Sequence, residues 1–314
     1  MDGSRMRADK LGVVPVMAIP FHDDESIDEP ALRRLVDFAV QCRVGAICLP
    51  MYASEFYKLS DSERTRVVAI AVDQAANRIK VIGNAAHGSS CMALSFAEQN
   101  AKAGTDLISV PVPRIFHVTD EDLFEYLLPI LKGVDVPVLL QDYNPGGPTV
   151  SVGFVKRLAL ECPNFRYLKL EEPLMATRVN AIREETQDQV GVLEGWGGLY
   201  MMELIPAGIV GSMPGLALAD LLSRVFELRL EGAPGAFDLF EKVLPQIVFS
   251  LQNFELFLYC EKRLLQARGL VANATCRSAR YTPDAFTMDY VDELNKRIIE
   301  ALETSGFEAT WKRP

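Results

Sequence analysis

One lysine stands where a lysine is costly. In the run FRYLKLEEP, Lys169 lies inside an otherwise apolar strand pattern, and a lysine is rarely buried unless it is paired or used. Period-2 alternation puts Tyr167, Lys169 and Glu171 on one face and Leu168 and Leu170 on the other. If the leucines face a helix layer, the lysine and glutamate turn toward the opposite side. A desolvated lysine has a lowered pKa and supplies neutral amine to a carbonyl, giving a Schiff base. A neighbouring carboxylate can then move the proton. The same two residues also suit a plain ion pair at a rim, and spacing alone leaves both readings open.

Other chemistries find less support. Three histidines (His22, His87, His117) and six scattered cysteines form no HxH, HExxH or CxxC pattern, so neither a metal site nor a disulfide framework is expected. His22 and His117 carry no signal of their own. The 42 acidic and 32 basic residues give a net charge of −10, which argues against nucleic acid or an anionic membrane as partner. No run of 18 apolar residues and no signal-peptide pattern occurs. A cytoplasmic chain with reduced, mostly buried thiols is the expectation.

The elements that must position Lys169 repeat along the chain. Near-continuous apolar runs at 13–20, 46–51, 80–86, 106–111, 136–142, 165–171, 190–195 and 208–212 read as parallel strands buried on both faces. Helical patterns fill the intervals at 28–42, 60–76, 89–103, 119–132, 151–161, 174–186, 198–205 and 217–231. The first places Leu32, Leu35, Val36 and Ala39 on one face. Ser60 to Glu63 and Thr119 to Asp122 read as capped helix starts. Eight such units predict an α/β fold, a (β/α)8 TIM barrel, in which the C-terminal ends of strands carry catalysis. No GxGxxG follows the first strand, which disfavours an open dinucleotide-binding sheet. Three further helical patterns lie between 233 and 303. The organisation expected is a tail at 1–10, the barrel at 11–231, and at 232–314 an appended C-terminal helical layer that packs on the barrel without independence.

From Leu11 to about Leu302 the chain resembles the dihydrodipicolinate synthase/N-acetylneuraminate lyase family of Schiff-base aldolases and dehydratases. GVVPVMAIPFHDDESIDEPALRRLVDFAV resembles the family's first βα unit, SEFYKLSDSER its GEFxxLSxxER segment, and CPNFRYLKLEE its strand with the imine-forming lysine. The resemblance implies that Lys169 forms the imine, with no metal or organic cofactor. It also implies a homo-oligomer, dimer or tetramer. The apolar faces of Phe254, Phe257, Leu258 and Leu264 on the trailing helices are candidates for its interface.

The departures from the family pattern are specific. Its GTTGE is replaced by Met51-Tyr52-Ala53-Ser54-Glu55, without either threonine. Its strand-five tyrosine falls on Gln141, with Tyr143 two residues on and able to replace it only through a slip in register. Its tyrosine pair falls on Arg114 and Ile115, and its substrate arginine on Gly146. The synthase's proton relay is therefore absent. Several replacements resemble the 2-keto-3-deoxy-arabonate dehydratase-like branch: Ser54-Glu55, His87-Gly-Ser-Ser90, Gln141-Asp142, and the Lys-x-Glu-x-Pro of residues 169–173.

These readings predict a lyase acting on a small 2-keto acid, with Lys169, Glu171 and Gln141 catalytic and Ala53, Ser54, His87 and Tyr143 contacting substrate. Dehydration of a 2-keto-3-deoxy sugar acid is the leading expectation. A class I aldolase on pyruvate-derived acids is the second, and a non-catalytic keto-acid-binding member the third. Glu194, in LEGW, reads as a structural carboxylate, and Trp196 and Tyr200 as lid or core residues.

Overall fold

The computed structural model describes residues 7–114, 118–144, 147 and 149–304. Ile115, His117 and Gly146, singled out above, lie outside the described residues. Each apolar run supplies one strand: β1 (Gly12–Val13), β2 (Ala46–Leu49), β3 (Lys80–Asn84), β4 (Leu107–Pro111), β5 (Val138–Tyr143), β6 (Phe165–Glu171), β7 (Gly191–Glu194) and β8 (Gly211–Ser212). The ladders are all parallel, in the order β1-β8-β7-β6-β5-β4-β3-β2. The sheet closes where Gly45 N donates to Val13 O and Cys48 N to Pro15 O, while Met17 N donates back to Cys48 O. This is the (β/α)8 barrel expected from the repeats.

The helices alternating with these strands are α1 (Glu29–Gln41), α2 (Asp61–Ala75), α3 (Ser90–Ala103), α4 (Asp120–Lys132), α5 (Val152–Glu161), α6 (Met175–Thr186), α7 (Met201–Ala207) and α8 (Ala219–Glu231). Ser60–Glu63 and Thr119–Asp122 are reciprocal capping boxes. Leu32, Leu35, Val36 and Ala39 are fully buried against the sheet. Three helices follow: α9 (Gly235–Ser250), α10 (Phe254–Ala267) and α11 (Ala285–Thr304).

Two strands are shorter than their apolar runs, for local reasons. Pro15 cannot donate to a ladder, so the 13–20 run continues through single bonds such as Val16 N to Pro214 O. Gly208 caps α7 in the left-handed region, at φ 97°, and the chain joins the sheet only afterwards. Helix α7 itself starts later than its pattern because Gly197 and Gly198 both have positive φ, a conformation no α-helix contains.

The core has two compartments set by strand alternation. Ile47, Leu49, Ile108, Leu140, Leu168 and Leu170 pack outward under the helices. Val14, Cys48, Ile82, Leu139, Tyr167 and Leu193 fill the barrel interior. Lys169 therefore shares the interior face with Tyr167, as alternation required. The apolar faces suggested above as an oligomer interface are used within the chain. Leu258 and Leu264 are about 1% exposed, and Phe254 and Phe257 line a cavity over the barrel. These four residues thus give no argument for a second subunit.

Candidate active site

Strands β5 and β6 build the chemical wall. Their parallel register sets Gln141 opposite Lys169 and Tyr143 opposite Glu171. Lys169 Nζ lies 2.5 Å from Glu171 Oε1, with both side chains about 6% exposed. Gln141 Nε2 donates to Glu171 Oε1 at 3.2 Å, while Gln141 Oε1 is buried and has no partner among the described residues. One carboxylate thus receives both the ammonium and the amide, and one amide oxygen is left free to accept. Burial pushes the Glu171 carboxyl above its usual range, with the Lys169 charge and the Gln141 amide pulling the other way.

These groups open into a cavity at the C-terminal ends of the strands. Tyr52 and Ala53 line it after β2, Tyr143 on β5, Gly195 to Gly197 after β7, and Leu251, Asn253, Phe254 and Phe257 from the α9–α10 corner. Gly195 is required by closeness: a Cβ there would stand 2.3 Å from Glu171 Cγ and 2.7 Å from Leu170 O. Tyr143 reaches the cavity in the strand's own register, two residues beyond Gln141, so no slip is needed. Its ring lies 5.5 Å from that of Tyr52. Burial raises the pKa of both phenols, with Glu171 adding to the effect.

The other expected residues are placed less uniformly. Ser54 is fully buried, its Oγ has no partner among the described residues, and it does not line the cavity. His87 is exposed on the loop before α3, where its Nδ1 accepts from Ser89 N at 2.9 Å. The structure does not bring it to the cavity. Arg114 pairs with buried Asp142 at 2.8 Å, tying the ends of β4 and β5 together. Glu194 is fully buried and accepts from Trp196 N, Gly198 N and Ser212 Oγ at 2.6–2.9 Å. It shapes the 195–198 loop, as a structural carboxylate would. Trp196 lines the cavity, while Tyr200 packs against the core.

Sequence reasoning missed the far wall. Asn253, Phe254 and Phe257 belong to a helix outside the barrel repeat, and no local pattern says where its face will land. Asn253 did carry one visible signal as an N-cap, and its Oδ1 accepts from Glu255 N and Leu256 N. Among the described residues no group of His, Cys, Asp or Glu is arranged to hold a metal. No described helix is long and apolar enough to cross a membrane.

A parallel barrel that presents an amine and a carboxylate to a cavity at its C-terminal face defines a class of protein suited to carbonyl chemistry. The chain belongs to the dihydrodipicolinate synthetase family, whose pattern it matches over residues 9–296. It is 25% identical to the L-2-keto-3-deoxyarabonate dehydratase of Azospirillum brasilense over 267 residues, 83% of this chain and 86% of that one. To the 4-hydroxy-tetrahydrodipicolinate synthase of Laribacter hongkongensis it is 34% identical over 161 residues, about half of each chain (50% and 54%). In structure it resembles the dihydrodipicolinate synthase of Rhodopseudomonas palustris, with a TM-score of 0.86 at 24% identity, covering 93% of this chain and 99% of that one.

Proposed function

We propose that the protein is a lyase that binds a 2-keto-3-deoxy acid as an imine on Lys169 and expels its C4 hydroxyl. The observation that supports this best is the buried Lys169–Glu171 pair facing the cavity, with Gln141 bonded to the same carboxylate. Transfer of one proton within the pair leaves a neutral amine and a carboxylic acid, a state favoured by burial of Glu171. The amine adds to C2, the Glu171 acid gives its proton to the departing C2 oxygen, and water leaves, giving an iminium beside a Glu171 carboxylate. The Glu171 carboxylate then takes a proton from C3, and the enamine pushes out the C4 oxygen. Glu171 returns the proton to it, so water departs and the carboxylate is restored. Hydrolysis of the unsaturated imine frees Lys169 and a 2-keto-3-enoic acid. In this reading Gln141 Oε1, buried without a partner among the described residues, accepts from a substrate hydroxyl.

Dehydration is favoured by similarity to the Azospirillum dehydratase over most of both chains and by Gln141 standing where a synthase-type tyrosine would. An aldolase reading has its own support in Tyr143, whose phenol enters the same cavity and could take the C4–OH proton before the C3–C4 bond breaks. Borohydride reduction with pyruvate and with 2-keto-3-deoxy acids, followed by peptide mapping, tests the common core of both. The reduced ligand should be found on Lys169; an adduct elsewhere, or none with any keto acid, overturns it. Product analysis separates the outcomes, an unsaturated acid for dehydration against pyruvate plus aldehyde for cleavage. Adduct without either product would mark a binding protein. Condensation of pyruvate with aspartate semialdehyde should remain at background.

A further inference from the structure

The cavity is polar at its floor and aromatic above it. Lys169, Glu171 and Gln141 occupy the floor, on the interior ends of β5 and β6. The upper wall is built from rings. Tyr52 lies 5.5 Å from Tyr143, and Phe56, outside the lining, packs edge-on against Tyr52 at 5.1 Å. Phe254 and Phe257, one turn apart on α10, are stacked with centroids 6.2 Å apart. Trp196 and Leu251 fill in between the barrel and this helix, and Met51 and Met213 line the same space.

Polar groups on that wall are few among the described residues. The Asn253 side-chain oxygen is committed to capping α10 through Glu255 N and Leu256 N. Beyond the phenols of Tyr52 and Tyr143, the side-chain polar groups on the wall are the Asn253 amide nitrogen and the indole N–H of Trp196, which is buried and has no partner among the described residues; the rest is carbon surface. A hydroxyl moved from water onto the carbon part of this wall, at Phe254, Phe257 and Leu251, loses hydrogen bonds that those side chains cannot replace, whereas an apolar group gains by the same move. We infer that the substituent carried by C4 of the substrate is apolar, an aryl or branched alkyl group, rather than a further hydroxylated carbon. The floor then handles the keto acid up to C4, and Phe254, Phe257 and Trp196 select what lies beyond it.

This inference rests on the imine reading and narrows it from the sugar acids named for the Azospirillum relative. The bonds made and broken are unchanged: C3 loses its proton, C4 its hydroxyl, and the product is a 2-keto-3-enoic acid conjugated to the aryl group. The experiment uses the full-length protein and two probes, 4-hydroxy-4-phenyl-2-oxobutanoate and a 4,5-dihydroxy-2-oxopentanoate. Turnover is followed by chromatography of the enoic acid and of pyruvate, alongside borohydride trapping with pyruvate. Trapping on Lys169 with kcat/KM at least about tenfold higher for the phenyl acid is expected, the scale on which apolar pockets discriminate. Trapping together with equal or better use of the dihydroxy acid overturns this inference alone. Failure to trap any keto acid overturns the imine reading and this inference with it. Phe257→Asn should lower the phenyl-to-dihydroxy ratio by about tenfold; a ratio that does not move shows that the α10 wall does not select.

Discussion

Two lysine–glutamate clusters are buried in this molecule, and they differ in what else their charges touch. In the first, Lys169 pairs with Glu171 on its own strand, and Gln141 is the carboxylate's other side-chain partner. In the second, Glu55 accepts from Lys58 at 3.1 Å and also from Lys262, 207 residues away. Lys262 donates as well to Thr275 O at 2.8 Å, and Lys58 reaches Glu255 at 3.0 Å. The second cluster is saturated from three separate segments, and it fastens the 52–58 loop, which carries Tyr52 and Ala53, to α10. Burial and opposite charge are common to both and so do not mark a reactive lysine. What separates the Lys169 pair is unused bonding capacity beside a cavity.

The sharpest way to break this contrast is to remove each lysine in turn. Lys169→Met should lower turnover by at least ~10³-fold and abolish borohydride trapping. Its melting temperature should change little, because Glu171 already has a raised pKa and can take up a proton once its partner is gone. Lys262→Met should do the reverse. It leaves Glu55 buried with one cation fewer and should cost about 3–5 kcal/mol of stability, the scale for breaking a buried pair, while the folded fraction still traps on Lys169. Equal destabilisation by the two substitutions, measured by denaturant titration, would erase the distinction.

A smaller effect is expected within the first cluster. Glu171→Gln keeps size and hydrogen bonding but cannot accept a proton. Trapping on Lys169 should persist while product formation falls by ~100-fold or more. The pH profile adds a signed check. With its pKa raised by burial, Glu171 is an active base only above that elevated value, so wild-type turnover should decline with acid at a pH above the ordinary carboxylate range. The Gln variant should lack that limb. If the limb survives in the variant, the base is another group, and Tyr143 is the first to test.

Much of this was legible in the sequence where the signal is local. Strand alternation placed Lys169 and Glu171 inward and Leu168 and Leu170 outward, and Ser60–Glu63 and Thr119–Asp122 announced their helices. What was not legible depends on where distant segments meet. Phe254 and Phe257 look like an apolar helix face, and the sequence has no means of showing that the face roofs the barrel mouth. Lys58, Glu255 and Lys262 are marked by no spacing or motif in the sequence, yet both lysines converge on Glu55 and Glu255 pairs with Lys58. His87 shows the opposite case: a short local match suggests substrate contact, while the loop leaves the residue exposed and outside the cavity lining.

Gly195 tests how tightly the floor is built, with a milder expected loss. Gly195→Ala would set a methyl group against Glu171 Cγ and the Leu170 carbonyl. The side chain can turn aside, but the carbonyl belongs to β6 and cannot. Glu171 should be displaced while Lys169 keeps its place, so product formation should drop by roughly tenfold with trapping intact, as expected for a small misplacement of a catalytic group. Loss of trapping and turnover together would mean that the two side chains move as one unit.

Another buried carboxylate, Glu261 on α10, forms no ion pair with a lysine among the described residues, its neighbour Lys262 being paired with Glu55, and it extends the comparison to stability. It accepts from Ala217 N at 2.8 Å and from the Leu216 N–H. Burial pushes its carboxyl from 4.5 up to about 7, against the opposing pull of those two N–H groups and of Arg268. Between these two values the folded protein holds a proton that the unfolded chain has released. Stability contributed at this site is therefore highest below pH 4.5, falls as pH rises toward 7, and is level above it. Glu261→Gln cannot ionise, and its amide oxygen can still accept from both backbone donors. Relative to wild type, the variant should gain about 1–3 kcal/mol on going from pH 4.5 to pH 8, read from denaturant midpoints at the two pH values, with trapping on Lys169 unchanged. A variant that loses stability over that interval would show that the ionised carboxylate is favourable at this site, and that the Ala217 and Leu216 N–H groups outweigh the cost of burying it.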